Sequence, residues 1–142
     1  AFGPVVVTPD ELAANWQAGR VVGRLQSRVN GLLYGQPRTE KEMVFDFYQL
    51  IQAAAQTRQL SAGTILGGGT VANTHDEILP ISSDGTGFSC IVEARMAEKA
   101  ADAEQRTPFL KPDDQVSIQF VTDEGEAPFG EIKQKVSLNK AQ

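Results

Sequence analysis

Arg20-Val21-Val22-Gly23-Arg24-Leu25-Gln26-Ser27-Arg28-Val29-Asn30-Gly31-Leu32-Leu33-Tyr34-Gly35-Gln36 is the stretch that decides the fold class. Residues 21–29 alternate with a strand period: Val21, Gly23, Leu25, Ser27 and Val29 fall on one face, with Arg20, Arg24 and Arg28 between them. Asn30-Gly31 follows, the strongest hairpin signal in the chain, because a two-residue type I′ turn needs positive φ at both central positions. Leu32 to Gln36 reads as the return strand. Near the far end Gln115 to Thr122 alternates again, with Val116, Ile118 and Phe120 on one face, and Asp123-Glu124-Gly125 turns it into a last strand at 128–136. Strands joined by hairpins rather than by helical crossovers predict an α+β unit.

Helices and loops fill the rest. Val5 to Val7 reads as a short apolar strand, closed by Thr8-Pro9-Asp10-Glu11, which has the cap, proline and acidic residue of a helix start. That helix is expected to run to about Trp16 and to end near Gly19. Thr39-Glu40-Lys41-Glu42 is a second capping-box pattern and predicts a helix over about 40–56, with Val44, Phe47, Tyr48, Ile51, Ala54 and Ala55 on one face. Thr64-Ile65-Leu66 reads as a buried strand running into Gly67-Gly68-Gly69-Thr70, and residues 73–88 read as loop. Residues 89–102 carry a strand-like start, Cys90-Ile91-Val92, and a helix-like continuation; helix is the reading taken.

The 142 residues fit one domain, and at this length roughly 68–70% of the unfolded surface is buried without staples. With 41% hydrophobic and 22% charged residues, the chain is not disordered as a whole. Asp+Glu number 18 against Lys+Arg 13, and the net charge of −5 argues against nucleic acid or an anionic membrane as partner. The single cysteine, Cys90, excludes an internal disulfide and a CxxC zinc site, and it fits a reducing, cytoplasmic compartment. No apolar run approaches the roughly 20 residues that span a bilayer, and the opening does not read as a signal peptide. The chain starts on Ala1 inside an apolar segment, so either an initiator Met has been removed or these residues are the carboxyl portion of a longer protein. The missing polar lead-in favours the second.

The glycine run is the most unusual local feature. It satisfies neither the Walker pattern nor the dinucleotide fingerprint. Consecutive glycines nonetheless let backbone N–H groups approach an anion, and the Thr70 hydroxyl adds a donor. A tight turn leaving a buried strand explains the same residues, and composition alone favours it. His75, the lone histidine, stands beside Asp76 and Glu77, but three adjacent residues cannot all face one ion; it reads as a solvated loop residue. Cys90 has no basic neighbour in sequence and reads as a buried, inert thiol. Glu93 follows an apolar triplet and is expected to be partly buried. It is then either ion-paired, with Arg95 or Lys99, or set up for proton transfer, and taken alone the ion pair is favoured. Asp113-Asp114 and Asp123-Glu124 read as solvated loop acids. The residues by themselves supply no complete catalytic set.

Taken in order and spacing, several pieces resemble the carboxyl half of the fumarylacetoacetate hydrolase family. They are Phe2-Gly3-Pro4-Val5-Val6-Val7-Thr8, the Val29-Asn30-Gly31 hairpin, Leu60-Ser61-Ala62-Gly63-Thr64-Ile65-Leu66 with Gly69-Thr70-Val71, Phe88 to Glu93, and Pro108-Phe109-Leu110-Lys111-Pro112-Asp113-Asp114. Ser89-Cys90-Ile91-Val92-Glu93-Ala94-Arg95 is similar in particular to bacterial members. The resemblance implies a mixed β-sandwich or roll, dimeric, here incomplete on the N-terminal side, with residues 1–142 as the carboxyl-side part of one catalytic domain. It implies metal-dependent hydrolysis of a C–C bond in a 1,3-diketo or 2-oxo acid of the acylpyruvate type, as in aromatic catabolism. Thr70, with Gly68 and Gly69, matches the substrate-carboxylate site, and Glu93 matches the glutamate that activates water with a histidine.

The departures matter. The family's Glu-x-Glu pair and Asp, which bind Mg2+ (or Ca2+ or Mn2+), a lysine and the histidine partner all match positions before Ala1, and His75 does not replace that histidine. The chain alone is therefore expected to hold no catalytic metal and to be inactive. The turn that usually reads Lys-Pro-Gly-Asp carries Asp113 in place of Gly, which left-handed φ tolerates. Isomerases, decarboxylases and hydratases of the same superfamily, and a non-catalytic binding or dimerisation module, are the alternatives. A site predicts Thr70 and Glu93 at one cleft; a module predicts a closed turn with its glycines packed on protein. A partial fold also predicts an exposed apolar face and open strand edges.

Overall fold

The computed structural model describes residues 1–73, 87–101 and 107–138. Strands β1 (Trp16–Gln17) and β2 (Arg20–Val21) form a two-stranded ribbon. β3 (Arg24–Val29), β4 (Leu32–Gly35), β5 (Gln115–Val121) and β6 (Glu131–Lys135) form one antiparallel sheet in the order β4-β3-β5-β6. Helices α1 (Pro9–Leu12), α2 (Phe47–Thr57) and α3 (Ile91–Ala100) complete an α+β architecture. Among the described residues no helix is long and apolar enough to cross a membrane.

Local chemistry builds the sheet. Asn30 and Gly31 take φ of 51° and 82°, the two positive values that a type I′ turn demands. The Asn30 side chain donates to Asp114 at 2.8 Å and accepts from the Gln115 amide at 2.9 Å, so the first hairpin's turn is tied to the start of β5. β3 then runs along β5 from Arg24 opposite Val121 to Val29 opposite Val116. Register shifts between Ser27 and Arg28, which pair with Gly35 and Leu33, leaving Tyr34 as the extra residue of a bulge on β4. Tyr34 is buried there with Phe88 and Ala94, flanked by Val29, Ala72, Ile91 and Ala97. Asp113 takes φ 73°, as its place in the turn before β5 requires.

Four expectations need correction. Val5–Val7 is not a strand: Val5 makes one backbone bond, to the Phe129 carbonyl, and Val6 is exposed. The helix expected over 40–56 starts only at Phe47, because Asp46 and Gln49 form the capping box that Thr39 and Glu42 only imitate. Thr39 instead donates its hydroxyl to the Val21 carbonyl at 2.6 Å, and Arg20 reaches the Met43 carbonyl, which holds 39–46 against the strands in non-helical form. Thr64–Leu66 is neither strand nor buried, with Ile65 73% exposed. The last strand begins at Glu131 rather than 128, after Gly130 turns with φ 71°. Two smaller departures concern caps and ends: Thr8 makes no side-chain cap, and the first helix shortens to α1 plus a 3-10 turn at Ala13–Asn15. α2 buries no residue, although Trp16 stacks on Phe47 and donates its indole N–H to Tyr48 at 3.1 Å.

Candidate functional site

A short antiparallel pairing builds the site. Asn73 N–H donates to the Gly87 carbonyl at 2.7 Å, Ser89 N–H donates to the Val71 carbonyl at 3.0 Å, and Ala72 faces Phe88. Ser89 Oγ closes the pair at the near end, donating to the Val71 carbonyl and accepting from the Val71 amide. This joins the end of the glycine loop to the residue before Cys90, the N-cap of α3. Glu93 lies in the first turn of that helix, where the aligned peptide dipoles favour an acidic side chain. Thr70 Oγ1 therefore donates to Glu93 Oε1 at 2.8 Å.

The second carboxylate oxygen, Oε2, is shut off from solvent and has no hydrogen-bond partner among the described residues. Thr70 also lines a cavity of about 630 Å³, with Gly68, Gly69, Phe47, Phe120 and Phe129. Lys41 and Glu42 bring the charges to its wall. The loop is open at its ends and packed in the middle: a Cβ at Gly67 or Gly69 would meet nothing within 4 Å, whereas one at Gly68 would lie 3.5 Å from Phe47 and 3.6 Å from Met43, and Gly69 takes φ 87°. No backbone amide from 65 to 70 donates a hydrogen bond within the described residues. The geometry thus brings a hydroxyl and N–H groups to the lip of an apolar hollow, with the Glu93 carboxylate behind the hydroxyl.

Arg95 does not pair with Glu93. Its guanidinium donates to the Thr107 carbonyl and lies 4.4 Å from the Phe109 ring centre, and among the described residues no salt bridge joins Glu93 to Arg95 or Lys99, so the ion-pair reading of Glu93 is overturned. Cys90 is half-buried rather than buried, in a groove with Tyr34 and Ile91. His75, Asp76 and Glu77 lie outside the described residues. Among the described residues no group of three or more His, Cys, Asp or Glu could hold a metal ion.

Three residues near the site carried no sequence signal. Asn73 is fully buried, accepts from the Arg38 amide at 2.7 Å, and donates to the carbonyls of Arg38 and Lys41. Glu98, not Glu93, is the fully enclosed carboxylate, accepting from the Thr107 amide at 3.1 Å and hydroxyl at 2.6 Å. Tyr34 stands between strand and helix; burial first, then nearby Cys90, Glu98 and Glu93, push its phenol above the ordinary range. The family profile described as fumarylacetoacetate (FAA) hydrolase C-terminal matches residues 1–137. No curated protein matches the chain.

Proposed function

The chain belongs to the fumarylacetoacetate hydrolase family through that carboxyl-terminal domain, and from this premise we propose that it supplies the carboxylate-binding and proton-accepting side of an enzyme that hydrolyses a C–C bond in a 1,3-diketo acid. The family includes hydrolases and other enzymes. The observation that carries the hydrolytic reading is the 2.8 Å contact between Thr70 and Glu93 beside the cavity. In this reading the sheet is one layer of a mixed roll, and the protein works in the cytoplasm.

Thr70 and the free amides of the glycine loop hold the substrate carboxylate, and the apolar wall of Phe47, Phe120 and Phe129 takes the acyl chain. Glu93 accepts the proton of a water whose oxygen adds to one carbonyl carbon. The bond from that carbon to the carbon between the two carbonyls then breaks, and the departing enolate carbon takes a proton, giving two acids. The described residues do not fit a divalent ion such as Mg2+, Ca2+ or Mn2+, so no step here passes through one, and its ligands would come from elsewhere.

Cleavage of an acylpyruvate by the full-length protein, with magnesium supplied, tests the proposal. Glu93→Gln should lower kcat by about 10²–10⁴-fold with KM little changed, the usual loss on removing a general base. Thr70→Val should mainly raise KM. Full activity in Glu93→Gln would instead favour a decarboxylase or isomerase, which needs the carboxylate site but no base at this position. A non-catalytic module would show no turnover in any form.

A further inference from the structure

We propose that the groove between the sheet face at Ser27 and the start of α3 binds a small apolar carbonyl compound, with the Ser27 hydroxyl donating to its oxygen.

Strand register builds the floor of this groove. Ser27 stands opposite Ile118, and Val29 opposite Val116, and directly opposed residues share one face of a sheet. All four line the groove, so the Ser27 side chain points into it. Ser27 is 5% exposed, and its Oγ has no hydrogen-bond partner among the described residues. A buried hydroxyl in that state is destabilising. An apolar side chain laid in the groove would leave the hydroxyl as it is, whereas an occupant that brings an acceptor oxygen would pair it.

The walls are apolar and largely fixed. The start of α3 contributes Cys90 and Ile91, and the segment before β5 contributes Phe109 and Leu110. The Arg95 guanidinium lies over the Phe109 ring, and Thr107 is tied to Glu98, so that segment is held to the helix. The hollow measures about 260 Å³ and shares no lining residue with the cavity at Thr70. An apolar cavity of roughly 150 Å³ already accepts benzene, so this one has room for a single ring, or a chain of similar bulk, that bears a carbonyl.

The head group should be neutral. Among the described residues Arg28 is the one charged residue on the lining, and strand alternation sends its side chain to the face opposite Ser27. A carboxylate at Ser27 would be an unpaired charge among apolar side chains, whereas a ketone oxygen needs only the one donor.

Alkylation of Cys90 by iodoacetamide in the full-length protein, read by mass spectrometry of the peptide that carries it, reports occupancy, because Cys90 is half-buried in the groove wall. Acetophenone is the probe. α-Methylstyrene, of the same shape with a methylene in place of the oxygen, is the control. Acetophenone should slow alkylation saturably in wild type. In Ser27→Ala its half-saturating concentration should rise about fivefold, while that of α-methylstyrene stays unchanged or falls, as expected for loss of one hydrogen bond to a neutral group. Because it removes an unpaired oxygen, Ser27→Ala should melt no lower than wild type without ligand. No protection by acetophenone overturns the site, as does a Cys90 that resists alkylation in the unliganded protein, which would mean that polypeptide fills the groove. Equal responses of ketone and alkene to Ser27→Ala, or a lowered melting temperature in that variant, overturn the role of the hydroxyl and with it the proposal.

Discussion

Glu98 and Thr107 show how tightly single residues hold the helix that carries Glu93. The Glu98 carboxylate is buried, and Thr107 is its partner through both amide and hydroxyl. Glu98→Ala would leave two donors unpaired in an enclosed place, so we expect a loss of about 2–3 kcal/mol, the scale for hydrogen bonds to a charged group. Glu98→Gln keeps one acceptor oxygen and should cost less. Urea unfolding curves with a lowered midpoint and unchanged slope would show it. Tyr34 gives a prediction in pH. Its phenol is raised in the folded state, whereas in an unfolded chain it ionises near pH 10. The folded form therefore holds more protons above about pH 10, and stability is complete below that value and lost as pH rises beyond it. Tyr34→Phe should show a shallower loss of stability than wild type between about pH 10 and 12, followed by thermal melts in that range.

At the scale of elements, the pairing of 71–73 with 87–89 sets the distance between the glycine loop and α3. Asn73 anchors it from a fully buried position, with three side-chain bonds to the 38–41 segment. Asn73→Ala should cost about 3 kcal/mol, since it strands the Arg38 amide and two carbonyls. It should also raise KM for an acylpyruvate through Thr70, whereas Glu98→Gln should leave KM close to wild type; kinetics of both variants separate the two anchors. This anchoring explains what sequence could and could not disclose. The Asn30-Gly31 hairpin and the β5–β6 alternation were legible because turn chemistry and a period of two are local properties. α3 was legible from Glu93 onward for the same reason. The segment 39–46 was misleading because its capping-box pattern is outcompeted by Thr39 and Arg20 reaching carbonyls 18 and 23 residues away. Thr64–Leu66 resembled a buried strand only because three apolar or β-branched residues say nothing about a partner. Thr70 and Glu93 were singled out through the glycine run and the family resemblance, while Asn73, Glu98 and Tyr34 act through long-range contacts that no spacing rule encodes.

The whole molecule exposes much of its apolar surface. Among the described residues five hydrophobic side chains are buried: Leu12, Tyr34, Phe88, Ala94 and Phe120. Against them, Val44 is 77% exposed, Tyr48 57% and Ile51 44%, with Phe45 beside them, so the face of α2 and the segment before it stand open to water. The sheet's two edges differ as well. β6 carries Glu131, Lys133 and Lys135, charges that discourage further pairing, whereas β4 reads Leu32-Leu33-Tyr34-Gly35 and carries none. Solitary exposed apolar residues need no explanation, but a cluster on one helix face marks a contact surface. We propose that this face is covered by a second copy of the chain, and a standard contact would need about 800 Å² from each. Sedimentation should then find a species of twice the protomer mass that dissociates on dilution. Replacing Ile51 by lysine should give a monomer, with circular dichroism unchanged because Ile51 is not buried in the fold. A wild type that stays monomeric throughout, or an Ile51→Lys variant that still dimerises, would move the contact off α2, and the uncharged edge of β4 would be the next surface to alter.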